Sequence, residues 1–580
     1  MTLLQQLDKL FYTALVNAGA SADCSAVVRP GNRPEFGDYQ VNGIMPAAKK
    51  MQTDPRKLAQ KVVDCLENNA LIKSTEIAGP GFINITLSNE WIEETASAFS
   101  NDKDCGVEKI DSPETVVVDY SHPNIAKEMA VHHLRSTVIG DAIARALEFL
   151  GYNVIRQNHI GDWGTQFGML IAYMESLENS NDSACIAELY NLEKFYQSAK
   201  KQFDSDEAFA EKSRQYVVKL QAGDPWCTEM WKKLIDTTME QNQVLYERLG
   251  ISLTPDHIMG ESAYNDFLPN IVKDLQNKGL LAEHDGAKLV YLDEFKNKNG
   301  ESMGVIVQKK DDGYLYSTTD LAAIQYRTKN LHARRIIYCV DARQAQHLQQ
   351  IFIIARKAGF ASENVSLEHH AFGMMLGKDG KPFKTRSGQT IKLADLLDEA
   401  ELRAAKLLTE KNPQLSEEQK VSVIKALTTG AIKYADLSKN RTSNYVFDWD
   451  LMLSFDGNTA PYMLYAYTRI KSIFRKNAID VAKLNEKIVL TNTEERALAL
   501  KLLQFNEVIK NVAKEGMPHF LCTYLYELAG NFMSFYECCP VSRQDIDTSV
   551  KNSRLQLCLF TANVLKVGLN LLGINTVEQM

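Results

Sequence analysis

Three residues suited to holding phosphate, Lys127, His132 and His133, cluster just after a short apolar run, Val116-Val117-Val118. They belong to Ser121-His122-Pro123-Asn124-Ile125-Ala126-Lys127-Glu128-Met129-Ala130-Val131-His132-His133-Leu134-Arg135-Ser136-Thr137, which opens a long helical pattern. A strand, a tight turn and a helix N-terminus form a phosphate site in doubly wound folds, because the helix dipole and free backbone N–H groups face the anion. The chain has no GxxxxGKS/T loop and no GxGxxG fingerprint. Side chains must then supply more of the contacts, and a nicotinamide or flavin enzyme is disfavoured. A second basic segment, Lys378-Asp379-Gly380-Lys381-Pro382-Phe383-Lys384-Thr385-Arg386-Ser387-Gly388, sets Lys384 and Arg386 between glycines. It suits a mobile phosphate-gripping loop. Taken alone it also reads as a solvated charged hairpin.

The elements that must position these groups are legible in outline. Val116 to Asp119 reads as a buried strand. Leu134, Val138, Ile139, Ala142, Ile143, Ala146, Leu147 and Leu150 form one helical stripe, Gly151 ends it, and Asn153 to Arg156 starts the next strand. This βαβ unit implies a parallel sheet with a right-handed crossover. Asp119 then lies at the sheet edge where ligands bind, with Asn124 close behind. Ile336 to Val340 reads as a further strand ending at Asp341, so Gln344 falls just beyond it. The runs Gly304–Gln308 and Tyr314–Ser317 flank Asp311-Asp312-Gly313 and predict a hairpin, with Asp320 starting the next helix. Tyr316 and Asp320 would then point into one cleft across a strand-to-helix junction. The bland alternative is a buried tyrosine and an N-cap aspartate.

Length predicts several domains, since 580 residues exceed what one core supports. Residues 1–110 read as a small α/β unit that includes a Gly81–Leu87 strand and a polar linker from Asn101 to Pro113. Residues 111–394 carry the βαβ series, interrupted by charged helical patterns at about 176–250. Residues 395–454 and 455–580 read as helices throughout. A net charge of −8 and 24% charged residues are ordinary for a globular protein and do not exclude a local basic groove. The ten cysteines include no CxxC pair, and no apolar run is long enough to span a bilayer. The expectation is a reduced cytoplasmic protein, not attached to membrane, with inert thiols and no bound metal.

Family resemblance follows from motifs in order. The opening segment resembles the ATP-binding motif of arginyl-tRNA synthetases of bacterial type, a class I family, which usually reads Ser-x-Pro-Asn-x-Ala-Lys-x-x-His-x-Gly-His-Leu-Arg-Ser. The match holds at Pro123, Asn124, Ala126, Lys127, His133, Leu134, Arg135 and Ser136, whereas Ala130 replaces the first histidine and His132 the glycine. Further matches are Gly161-Asp162-Trp163-Gly164-Thr165-Gln166-Phe167-Gly168, Tyr316-Ser317-Thr318-Thr319-Asp320, Asp341-x-Arg343-Gln344-x-Gln346-His347, the Lys384 loop, and Asn458-Thr459-Ala460-Pro461-Tyr462.

The resemblance implies an α/β protein with four parts. These are an N-terminal tRNA-contacting domain, a Rossmann-like parallel-sheet catalytic domain with a helical insertion, a helical connector, and a C-terminal helical anticodon-binding domain. It implies ligation of L-arginine to its tRNA with ATP and Mg²⁺, by a monomer. Tyr316 and Asp320 would grip the guanidinium, while Asp119, Asn124 and Gln344 would hold the amino-acid headgroup. Pro123, Asn124, Lys127, His133 and Lys384 would meet ATP, with Lys127, His132, His133, Lys384 and Arg386 serving catalysis. Phe82, Asn84, Trp449, Tyr462 and Arg469 would touch tRNA, although helix-core packing explains such aromatics as well. Losing a transition-state donor costs roughly 10²–10³ in rate. Ala130 therefore keeps open an alternative, a synthetase-like tRNA-binding protein with impaired activation.

Overall fold

A computed structural model of the chain describes residues 1–580 apart from 32–35, 67–68, 180–190, 384–390, 542 and 544. Its centre is a four-stranded parallel sheet in the order Ser366–His369, Arg335–Tyr338, Thr115–Asp119, Asn153–Gln157. Val116, Val117 and Val118 are fully buried, as expected of a strand covered on both faces. Register places Asp119 beside both Tyr338 and Gln157, so the C-terminal edge of the sheet gathers these three positions.

The crossover from Thr115–Asp119 to Asn153–Gln157 is the helix Val131–Phe149. Its apolar stripe is buried, and Gly151 follows at φ +94°. Gly140 lets this helix close on the sheet: a Cβ there would stand 2.3 Å from the Cβ of Tyr120.

The predicted hairpin is corrected. Ser302–Gln308 does pair, but with Ala287–Lys296, and after one bridge between Gln308 and Tyr314 the chain enters a helix at Tyr316. The cause is local. Ser317 Oγ donates to the Ile306 carbonyl at 2.5 Å and Thr318 Oγ1 to that of Val307, so the polar run folds back as a helical first turn. Asp320 is thus inside the helix Tyr316–Lys329 and is not its N-cap.

The charged helical insertion becomes the helices Leu192–Ser205, Glu207–Gln221 and Pro225–Leu249, with part of its start outside the described residues. It is no appendage. Tyr246 Oη lies 2.8 Å from Ser121 Oγ and accepts from Asn158 Nδ2 at 3.1 Å, while Thr238 Oγ1 accepts from the Ala126 amide at 3.1 Å. Pro225–Leu249 therefore buttresses the loop between strand and helix.

The N-terminal residues form an antiparallel sheet, Val28–Pro30, Tyr39–Val41, Phe82–Leu87, Ile72–Ala78, with flanking helices. Arg496 joins it to the C-terminal helices through a bidentate pair with Asp38, at 2.8 and 2.7 Å. Residues 101–114 carry no helix or strand, as expected of a linker, yet Cys105 and Val107 are buried in the common core. From Leu393 onward the described residues form helices joined by loops, with the two-residue strand Tyr445–Val446 among them.

Candidate active site

The loop that leads into Val131–Phe149 is tightly determined. Ser121, His122 and Ala126 all lie at positive φ (83°, 54° and 59°), a cost for non-glycine residues that surrounding structure must offset. The Tyr246 and Thr238 contacts supply part of that offset. Gly161 supplies more, its amide donating to the Pro123 carbonyl at 3.2 Å as Asn124 bridges to it. Pro123 is buried, whereas Asn124 and Lys127 are exposed. Lys127 stands 4.5 Å from the ring centre of Tyr196, on the insertion.

Ala130 is the N-cap of the helix and has no side-chain acceptor to offer. His133 fills part of that role from inside the helix, its Nδ1 accepting from the Ala130 amide at 3.1 Å. Burial, followed by His132, pushes the His133 pKa down to about 3, so the ring is neutral and carries its proton on Nε2. His132 lies 4.0 Å from His133 between ring centres. Its pKa is also lowered, by burial and then by the Arg343 guanidinium.

His132 faces a cavity of about 460 Å³ lined also by Arg135, Asp341, Arg343, Gly373, Met375 and Phe383. This volume is in the range of small-ligand sites, roughly 300–1,000 Å³. Lys384 and Arg386 lie outside the described residues. The residues on either side of that stretch do bear on the site. Phe383 lines the cavity, and Ile391 accepts from the Val131 amide at 3.1 Å, at the first turn of the helix.

Asp119 is held from two sides. It is 3% exposed, with Oδ2 paired to Arg327 at 2.6 Å and Oδ1 to His122 Nε2 at 2.8 Å. Burial opposes ionisation, but Arg327 and then His122 hold its pKa well below the usual carboxylate range. Each oxygen thus has an internal partner, and Asp119 anchors both His122 and Arg327 at the C-terminal edge of the sheet.

Tyr316 and Asp320 are brought together, on one face of one helix. Tyr316 is 64% exposed. Asp320 Oδ2 lies 2.6 Å from His347 Nε2, and the His347 ring meets the edge of Tyr316 at 4.8 Å. Gln344 is exposed and immediately precedes the helix Ala345–Lys357 that carries His347. Sequence reasoning missed Glu261. Burial, then the Asp162 and Asp320 carboxylates, push its pKa up to about 7. It lies in no quoted motif, and only the fold brings it there.

Of the residues expected to touch RNA, Asn84 is 5% exposed and its Oδ1 accepts from Gln40 at 2.8 Å. Phe82 and Trp449 are half-buried, Trp449 lying under Arg403 at 5.2 Å. Arg469 stacks on Tyr536 at 4.7 Å and donates to Tyr465 Oη at 3.0 Å, while Tyr462 meets Tyr526 at 5.7 Å. These rings form a surface of aromatic and basic groups along Ala460–Lys476 and His519–Cys538.

A parallel sheet with a histidine-bearing helix start at its C-terminal edge is the arrangement of the class I tRNA synthetase catalytic domain. The profile described as tRNA synthetases class I (R), catalytic domain, matches residues 94–449. The DALR anticodon binding domain matches 463–580, and the arginyl tRNA synthetase N terminal domain matches 5–87. The chain is 58% identical to the arginine–tRNA ligase of Actinobacillus succinogenes over 580 residues, covering all of both chains. It is 59% identical to that of Edwardsiella ictaluri over 567 residues, 98% of each. Among solved structures, the arginyl-tRNA synthetase of Plasmodium falciparum aligns with TM-score 0.85 and 32% identity over the whole of both chains. That of Thermus thermophilus, at 23% identity, shares the fold with TM-score 0.83. The chain belongs to the arginyl-tRNA synthetase family.

Proposed function

We propose that this chain ligates L-arginine to its cognate tRNA with ATP, by way of arginyl-adenylate, releasing AMP and pyrophosphate. The observation that carries this reading is the end-to-end match, at 58% identity, to a protein named arginine–tRNA ligase. It favours an active enzyme over the impaired alternative. In the first step an arginine carboxylate oxygen attacks the α-phosphorus of ATP, and the bond to the β-phosphate oxygen breaks. In the second, the terminal hydroxyl of tRNA attacks the acyl carbon and AMP leaves. Neither step needs a side-chain nucleophile, so the protein contributes placement and charge stabilisation.

In this reading the cavity beside His132 takes the nucleotide. The neutral His132 ring offers a flat face to the purine where the family motif has glycine. His133 presents an Nε2–H donor near the helix N-terminus, and Lys127, Lys384 and Arg386 serve the phosphates, with Mg²⁺ arriving as their counter-ion. Asn124 and Gln344 hold the headgroup. Tyr316, Asp320 and Glu261 meet the guanidinium, whose planar set of five donors needs several acceptors. The aromatic and basic surface around Tyr462 and Arg469 takes unpaired bases, and Trp449 and Phe82 extend the RNA contact. The proposed units are 1–110, 111–394, 395–454 and 455–580, working as a cytoplasmic monomer. Among the described residues no helix is long and apolar enough to cross a membrane. The test is aminoacylation: labelled arginine should become attached to arginine-accepting tRNA, with AMP formed in equal amount. Charging by another amino acid in preference to arginine would overturn the reading.

A further inference from the structure

His347 ties together groups that the proposed reaction uses separately. Its Nε2 lies 2.6 Å from Asp320 Oδ2, and its ring makes an edge contact with Tyr316 at 4.8 Å. Asp320 and Tyr316 sit one turn apart on Tyr316–Lys329, whereas His347 enters from Ala345–Lys357, three residues after Gln344. The His347 and Asp320 side chains are 18% and 22% exposed, so the contact is largely shielded from water. Tyr316, by contrast, is 64% exposed, and an exposed tyrosine has rotamer freedom unless a neighbour removes it.

We propose that His347 is a positioning residue for the arginine side chain: it fixes the Asp320 carboxylate by one oxygen, holds Tyr316 by its ring edge, and sets both at a constant distance from Gln344. This rests on the reading that Tyr316 and Asp320 receive the guanidinium. With Oδ2 bonded to His347, Asp320 keeps Oδ1 directed and available, which is what a planar fork of donors requires. The same imidazole sits on the helix that begins at the headgroup residue Gln344. It therefore couples the two ends of the amino acid, and a substrate of different length would meet one end misplaced.

The experiment uses the full-length enzyme with tRNA and compares His347→Ala, His347→Gln, His347→Phe and Asp320→Asn. KM for arginine and KM for ATP are measured separately in aminoacylation. His347→Ala should raise KM for arginine on the order of tenfold to a hundredfold, the scale of a charge-assisted hydrogen bond, and leave KM for ATP within about twofold. His347→Gln, whose amide N–H replaces the donor, should recover most of the loss. His347→Phe, which keeps a ring against Tyr316 without the donor, should recover little. The proposal is overturned if His347→Ala leaves KM for arginine within about twofold while Asp320→Asn raises it strongly. It is overturned equally if both KM values rise together and glutamine restores neither. If Asp320→Asn itself leaves KM for arginine unchanged, the guanidinium reading fails and the proposal falls with it.

Discussion

Glu261→Gln is expected to flatten the pH dependence of arginine use. Burial, followed by Asp162 and Asp320, moves the Glu261 pKa from its ordinary 4.5 to about 7. At ~1.4 kcal/mol per pH unit that displacement corresponds to about 3 kcal/mol. The sign follows from which state binds the proton. Below about 4.5 the carboxyl is protonated in folded and unfolded chains alike, and it costs nothing. As pH rises from 4.5 to 7 the unfolded chain releases the proton and the folded chain keeps it. Stability therefore falls through this window, and the full cost is present above 7. Glutamine removes the titration, so the variant should gain apparent melting temperature relative to the parent as pH rises across that window. A guanidinium beside Asp320 reverses the balance, because its positive charge favours ionised Glu261. At pH 6 roughly one molecule in ten carries the ionised form, and at pH 8 roughly nine in ten. In aminoacylation, kcat/KM for arginine should thus rise about tenfold more between pH 6 and 8 in the parent than in Glu261→Gln, with KM for ATP indifferent to the change. Parallel arginine profiles for the two proteins would refute the argument.

Two further changes test how the site is held. Arg327→Met leaves Asp119 buried without its cation, since Arg327 is itself fully buried and pairs with it at 2.6 Å; denaturant unfolding should show a loss of about 3–5 kcal/mol, and a loss under about 1 kcal/mol would contradict the assigned role. Tyr246→Phe removes the hydroxyl that joins Ser121 and Asn158; a cost of about 1–3 kcal/mol is expected, together with a raised KM for both ATP and arginine, since Asn124 and Lys127 share the loop that Tyr246 holds.

The parts of this site that could be read from sequence are those carried by local pattern. The strand, helix and strand around Val116, Leu134 and Asn153 follow from buried runs and helical spacing, and the motif order supplied the family. Pairings across long separations were not legible. Nothing near Asp119 in sequence announces Arg327, and nothing near Asp320 announces His347 or Glu261. Both depend on the parallel register that gathers strand ends at one edge. The alternation in Tyr314-Leu315-Tyr316-Ser317 suits a strand; the hydroxyls of Ser317 and Thr318 decide for helix by bonding back to Ile306 and Val307. The charged helical patterns mark an insertion but do not show what it touches; Thr238 and Tyr246 on its inner face hold the loop that carries Ser121 and Ala126. The pairing of Asn84 with Gln40, on the neighbouring strand of the N-terminal sheet, is likewise set by register and not by local pattern.

The departure at Ala130 and His132 bears most directly on whether the enzyme is active. His133 already caps Ala130 through Nδ1, and His132 stands in the wall of the nucleotide-sized cavity. Arginine-dependent exchange of pyrophosphate into ATP, measured with tRNA present, tests this account. Exchange well above that of Lys127→Ala under the same conditions is expected. Exchange no greater than that of Lys127→Ala, in a protein that still binds tRNA tightly, would contradict it.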